Sequence, residues 1–287
     1  MVNALSHQTV NIITQQSLVF NLLNTLCVTS VVTNGGTKMA LRIHTPAALK
    51  YAKVLVFAPP GHGKTWLLGT AQEDDRTYPM LFLDFDAGSE TLDGLDIDVI
   101  RIRSWRDSDE VLEALERQEI LEIDGKEYDF GNYRSIGIDS ISEWNRWAQL
   151  HILAKEGKSR RDPDLIELKD YNRVGVQLRR VLRRYRDLPL HVFLSAHAQD
   201  REEPRVGMIK KPDLSGQLAD EIAGLVSTVG YLAVDRDNGE RVLILHGYKE
   251  YRTKCRTPWN TTAPEVIESP DITEIMDVLG YRKNGRP

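Results

Sequence analysis

The chain is short of several things at once, and each shortage excludes a class of protein. Only two cysteines occur, Cys27 and Cys255, far apart and in no metal-ligand spacing. That excludes a disulfide framework or a cysteine zinc site and suits a reducing, cytoplasmic compartment. No apolar run reaches the roughly eighteen residues a membrane span needs, so no membrane partner is expected. Basic charge is not in excess: the formal net charge is -5, which excludes a surface coated in lysine and arginine. A local basic stripe can still bind phosphates while the total stays acidic. Internal repeats and low-complexity linkers are missing too, so one domain is expected.

The first 37 residues lack Asp, Glu, Lys and Arg altogether. An uncharged start invites a signal-peptide reading, but a basic n-region is missing and Asn, Gln, Thr and Ser interrupt every apolar run. Residues 1–38 read better as a poorly ordered tail or a non-native extension, with Met39 a candidate true start. The folded domain is expected over residues 39–287.

What is present is a series of short buried strands separated by helical patterns. Apolar, partly β-branched runs at 53–57, 80–83, 99–102, 135–139 and 190–194 read as core strands. Ser108 is a candidate N-cap for a helix over 109–118, and Trp144, Trp147, Leu150 and Leu153 share a later helix. A further helix is expected over 174–186 and a short one over 273–279. Asp124-Gly125 marks a hairpin, and residues 229–234 and 241–246 read as a second, C-terminal hairpin. Residues 201–213 look polar and loop-like. Strands alternating with helices imply an α/β fold: a mostly parallel twisted sheet with helices on both faces and an antiparallel hairpin at the end.

The chemistry is concentrated at residues 58–65, Ala-Pro-Pro-Gly-His-Gly-Lys-Thr. A strand before and a helix after this octamer are the context a phosphate-binding P-loop demands. Gly61 and Gly63 let the backbone turn so that successive N–H groups face phosphate oxygens. The cradle would run through Pro59, Pro60, Gly61, His62, Gly63, Lys64, Thr65 and Trp66, with Lys64 on the β- and γ-phosphates of ATP and the Thr65 hydroxyl on Mg²⁺. Such a loop needs a carboxylate at a neighbouring strand end to hold Mg²⁺ through water, and Asp139 has that position. Asp84 and Asp86, after the second strand, are candidates to activate water, with Asp86 preferred and Glu143 further off.

In order, VFAPPGHGKT (56–65), LFLDFDAG (81–88), SIGIDSISEW (135–144), DLPLHVFLSAH (187–197) and TKCR (253–256) resemble the RecA-like ATPases. The chain is most similar to a compact phage group that includes the Sak-type single-strand annealing ATPases. The resemblance covers about residues 40–260. It implies that Asp86 stands where those enzymes carry a water-polarising glutamate, a shorter carboxylate in its place. It also implies that His197 is a sensor for the γ-phosphate, and that Lys254 and Arg256, with Arg252 as a spare, reach the phosphates of a neighbouring subunit. Two basic stretches would then line a DNA axis: Lys155, Lys158, Arg160 and Arg161, and Arg201, Arg205, Lys210 and Lys211. Neither stretch carries an aromatic, so backbone binding without base preference is the natural expectation.

The reading that follows is an ATP-binding and ATP-hydrolysing homo-oligomer, a ring or filament. It would bind single-stranded DNA in phage-type recombination or annealing, with a single-strand-binding protein as a further partner, in the cytoplasm of a bacterial host. Nothing in the chain suggests nuclease or ligase chemistry. A helicase-like motor and a nucleotide-dependent switch acting on a protein remain the alternatives.

Overall fold

The computed structural model describes residues 51–155, 168–204, 206–215, 217–235, 238–257 and 262–281, all within the unit Ala47–Pro287. The expected tail, Met39 and the boundary at residue 39 lie outside the described residues.

The strands are β1 (Lys53–Ala58), β2 (Met80–Asp84), β3 (Asp98–Arg101), β4 (Ile120–Ile123), β5 (Lys126–Asp129) and β6 (Ser135–Asp139). They continue with β7 (His191–Glu203), β8 (Gly207–Pro212), β9 (Thr228–Val234), β10 (Arg241–Ile244), β11 (Lys254–Cys255) and β12 (Val266–Glu268). The helices are α1 (Lys64–Gly69), α2 (Trp105–Arg117), α3 (Ile141–Lys155), α4 (Leu168–Asp187), α5 (Leu218–Leu225) and α6 (Ile272–Val278).

One sheet runs in the order β12-β10-β9-β1-β7-β6-β2-β3. Its centre, from β9 to β3, is parallel throughout, and β10, β11 and β12 add antiparallel strands at the C-terminal end. The fold class is therefore the expected one: an α/β fold with a mostly parallel sheet and an antiparallel C-terminal hairpin.

Side chains on the central strands alternate between two cores, as the pleat requires. Leu55, Phe57, Leu81, Leu83, Ile136, Ile138, Val192 and Leu194 pack with Leu112, Trp144, Leu178 and Ile222 from α2, α3, α4 and α5. Val54, Val56, Met80, Phe82 and Phe193 face the other way, onto Leu67 and Leu68 of α1 and Ile272, Ile275 and Met276 of α6. Helices thus cover both faces, which is why the strands read as near-continuous apolar runs.

Two expectations need correction. The helix assigned to 109–118 starts earlier, at Trp105, because Ser104 is its N-cap and forms a capping box with Asp107. Ser108 is instead buried inside the first turn, donating to the Trp105 carbonyl at 2.7 Å. The stretch 201–213 is not a loop. Residues 201–203 end β7 and 207–212 form β8, and the two strands pair antiparallel from Ala198↔Pro212 to Glu203↔Gly207. The pairing hides behind charged residues: Asp200 stands opposite Lys210, and the two are joined by an ion pair of 2.5 Å. The Asp124-Gly125 hairpin is observed as β4–β5, both turn residues having positive φ.

Candidate nucleotide site

The phosphate loop, the candidate carboxylates and His197 gather at the C-terminal ends of β1, β2 and β6 and midway along β7. Parallel strands in register deliver this grouping. Asp84 stands level with Asp139 on β2 and β6, and Ala58 level with His197 on β1 and β7.

The loop between β1 and α1 turns through Gly61 and Gly63, at φ 79° and 88°. Those left-handed conformations favour glycine, which has no Cβ to clash. Gly63 also makes room for an arginine: a Cβ there would stand 2.5 Å from Arg241 Nε. His62 Nδ1 lies 3.2 Å from the Pro60 carbonyl, bracing the turn. The Lys64 ammonium crosses back over the loop and donates to the carbonyls of Ala58 (3.2 Å) and Pro59 (3.1 Å). Burial draws the Lys64 pKa below its ordinary value, while Asp139 and Asp86 pull it back up.

Thr65 and Asp139 meet directly: the Thr65 hydroxyl donates to Asp139 Oδ2. The Ser195 hydroxyl, from β7, donates to Oδ1 of the same carboxylate. Asp139 is 2% exposed. Burial raises its pKa above the ordinary carboxylate range, and the nearby Asp86 adds to the rise; the Ser195 and Thr65 hydroxyls and Lys64 oppose it.

Asp86 forms a second, adjoining cluster. Its Oδ1 accepts from the Ser140 backbone N–H (3.2 Å) and hydroxyl (2.8 Å), and its Oδ2 lies 3.2 Å from His197 Nε2. Ser140 also caps α3, its hydroxyl oxygen accepting from the Glu143 N–H at 3.3 Å. Burial works to raise the Asp86 pKa, but the hydrogen bonds from His197 and Ser140 prevail and hold it below the usual range. Asp84 sits one step back, buried, accepting from the Gly88 N–H and paired with Arg101 at 3.3 Å. Of the two candidate carboxylates, Asp86 is the one inside the cluster. Glu143 lies beside it on α3 but is paired with Arg146 at 2.9 Å.

The remaining candidates scatter. Lys254 donates to the carbonyls of Ala223 and Val226 at the end of α5, the latter at 2.9 Å, so its ammonium is engaged within its own subunit. Arg252 pairs with Asp220 (3.2 Å) and Glu203 (3.3 Å). Arg256 is exposed, as is Arg201 on β7. Lys211, expected at the surface, is 1% exposed and faces Asp220 at 3.8 Å. Lys158, Arg160, Arg161 and Arg205 lie outside the described residues, as does the Lys155 side chain.

Three participants escaped the sequence. Ser195 stands one rung past the Ile138↔Leu194 pair, beside Asp139, and only the adjacency of β6 and β7 reveals that. Ser140 follows Asp139 directly, yet its bond to Asp86 crosses from β6 to β2. Arg241 opens β10, some 180 residues after the loop it touches, where its Nε donates to the His62 carbonyl at 3.1 Å.

A family model described as an AAA domain matches residues 50–257, which include the whole cluster. The chain belongs to the AAA domain family. It is accordingly a nucleotide-binding P-loop ATPase. Two solved structures show a distant similarity. One is the RadB recombinase, at 15% identity and a TM-score of 0.38 over 69% of this chain and 84% of that one. The other is a prototypical ATPase from the type III secretion system of pathogenic bacteria, at 16% identity and a TM-score of 0.38 over 65% and 51%. At that level the likeness carries no inference, and the family assignment rests on the family model. No curated protein matches the chain. Among the described residues, no helix is long and apolar enough to cross a membrane.

Proposed function

We propose that this ATPase hydrolyses ATP with Mg²⁺, binds single-stranded DNA and acts as a homo-oligomer in strand annealing or recombination of the phage type. The observation that carries the nucleotide part is the convergence of two hydroxyls on the buried Asp139 carboxylate, one of them from the P-loop threonine. A hydroxyl and a carboxylate meeting beside the P-loop lysine form a donor set suited to a hard divalent cation. Thr65 and Asp139 would hold Mg²⁺, which supplies charge neutralisation between the phosphates when bound. Lys64, now on its own loop carbonyls, would turn to the β- and γ-phosphates. Asp86, kept ionised by His197 and Ser140, would accept the proton of the attacking water.

His197 links this chemistry to the rest of the molecule. It ends the buried half of β7, and the strand runs on from Ala198 into the pairing with β8. A change at Asp86 and His197 on γ-phosphate binding would therefore act on the base of that hairpin, which carries Arg201 and Lys210. These two are the described cations best placed to meet a DNA backbone. Lys158, Arg160, Arg161 and Arg205 remain candidates of the same kind. Arg256 is the exposed cation suited to reach a neighbouring subunit, since Lys254 is committed to the end of α5.

The test is ATP hydrolysis with and without single-stranded DNA, beside a Lys64→Ala control. Stimulation by DNA that disappears in the variant is the expected result. Hydrolysis indifferent to DNA would sink the DNA reading and point to a switch acting on a protein.

A further inference from the structure

One side of the P-loop is crowded with carboxylates; the other carries an aromatic ring and an arginine. Asp139, Asp86 and His197 all come from strands on the β7, β6 and β2 side of β1. On the opposite side lie β9 and β10. Because β9 is parallel to β1 and β10 antiparallel to β9, the start of β10 arrives at the phosphate end of the sheet. Arg241 is that first residue. Its guanidinium carbon sits 5.9 Å from the ring centre of Trp66, and its Nε donates to His62 of the loop. Trp66 follows Thr65 directly and is 45% exposed, a large apolar surface left open beside a polar loop.

A nucleoside triphosphate is an elongated ligand whose two ends differ chemically. Its γ-phosphate end belongs with the lysine, the hydroxyl and the carboxylates, which fixes the direction in which it lies. The nucleoside end then falls on the β9–β10 side. We infer that Trp66 and Arg241 grip the nucleoside end of the bound nucleotide, Trp66 stacking on the base and Arg241 leaving the His62 carbonyl to hold the base or ribose. An indole face and a planar guanidinium are the two side-chain surfaces best suited to stack on a purine. Trp66 and Arg241 would thus set nucleoside affinity, while the Thr65–Asp139 side does the phosphate chemistry. This rests on the proposed ATP site.

The measurement compares two probes on the full chain: ATP, and inorganic tripolyphosphate, which has the phosphates but no base or ribose. Binding is followed by calorimetry in Mg²⁺ for the wild type, Trp66→Ala, Trp66→Phe and Arg241→Ala. Stacking on an aromatic is worth a change on the order of ten-fold to a hundred-fold. Trp66→Ala and Arg241→Ala should each weaken ATP binding by about that factor and leave tripolyphosphate within about two-fold, because the cradle would use only the backbone N–H of residue 66, which alanine keeps. Trp66→Phe should restore most of the ATP affinity, because a smaller ring still stacks. ATP affinity unchanged in both alanine variants would overturn the inference. So would an equal loss of ATP and tripolyphosphate, which would mean that the loop itself had been damaged. Wild-type protein that binds neither probe would instead overturn the nucleotide site as a whole, and this grip with it.

Discussion

The strand ends around Asp139 and the hairpin of β7 and β8 are both polar, yet they are built on opposite terms. Around Asp139 the polar groups are buried and interlocked, each hydroxyl or N–H serving a named carboxylate oxygen. Along the hairpin the charges are largely exposed and paired across strands, as Asp200 is with Lys210. Burial makes the first region rigid and shifts its titrations, because a charge out of water depends on its few fixed partners. Exposure leaves the second adaptable and nearly neutral in stability, because water competes for every pair. On the proposed function, the first region would hold a metal and activate water, and the second would meet a flexible polyanion.

The contrast breaks if substitutions in the two regions behave alike. The largest effect is expected at Asp86: Asp86→Asn should lower kcat for ATP by on the order of 100-fold or more, as loss of a general base does. The same variant sharpens the electrostatic side. With its pKa held below the usual value, Asp86 stabilises the fold above the ordinary carboxylate range, and that stabilisation is lost as pH falls through about 4 and below. Acid unfolding of Asp86→Asn should therefore show a shallower pH dependence there than the wild type.

Adjacent lysines offer the next test. Lys211 is buried and Lys210 is not, so Lys211→Ala should cost about 1–3 kcal/mol in chemical denaturation. Lys210→Ala should cost under about 0.5 kcal/mol. If the hairpin meets DNA phosphates, Lys210→Ala should also reduce the salt slope of oligonucleotide binding by about one. An unchanged slope would remove Lys210 from the interface. One stability effect is a gain. Burial keeps the Asp139 pKa raised, so its ionisation becomes a cost to stability as pH rises out of the ordinary carboxylate range. Asp139→Asn should add about 1 kcal/mol at neutral pH, read as a rise of about 2–4 °C in Tm, while hydrolysis is lost. A drop in Tm would show instead that the ionised carboxylate is what holds Thr65 and Ser195 together.

Residues near one another along the chain were legible beforehand. The P-loop, its flanking strand and helix, the Asp-Gly hairpin and the central strands follow from local turn chemistry and apolar runs, which need no knowledge of what packs where. Charged strands were not legible, since β8 and the outer half of β7 draw their pairing from each other and look like loop when read singly. The start of α2 was misplaced because Ser108 was read as the cap, whereas Ser104 caps the helix and its capping box with Asp107 sets the start four residues earlier.

By itself, then, the sequence determined the phosphate loop, the fold class and the carboxylates at the strand ends, because each is encoded within a few consecutive residues. Tertiary structure alone decided that Ser195 and Thr65 share Asp139, that Ser140 and His197 hold Asp86 rather than Asp84, that Lys211 is buried while Lys210 is not, and that Arg241 crosses to the loop beside Trp66. Each of these depends on strand order and register, and register joins residues that the chain keeps tens to more than a hundred positions apart.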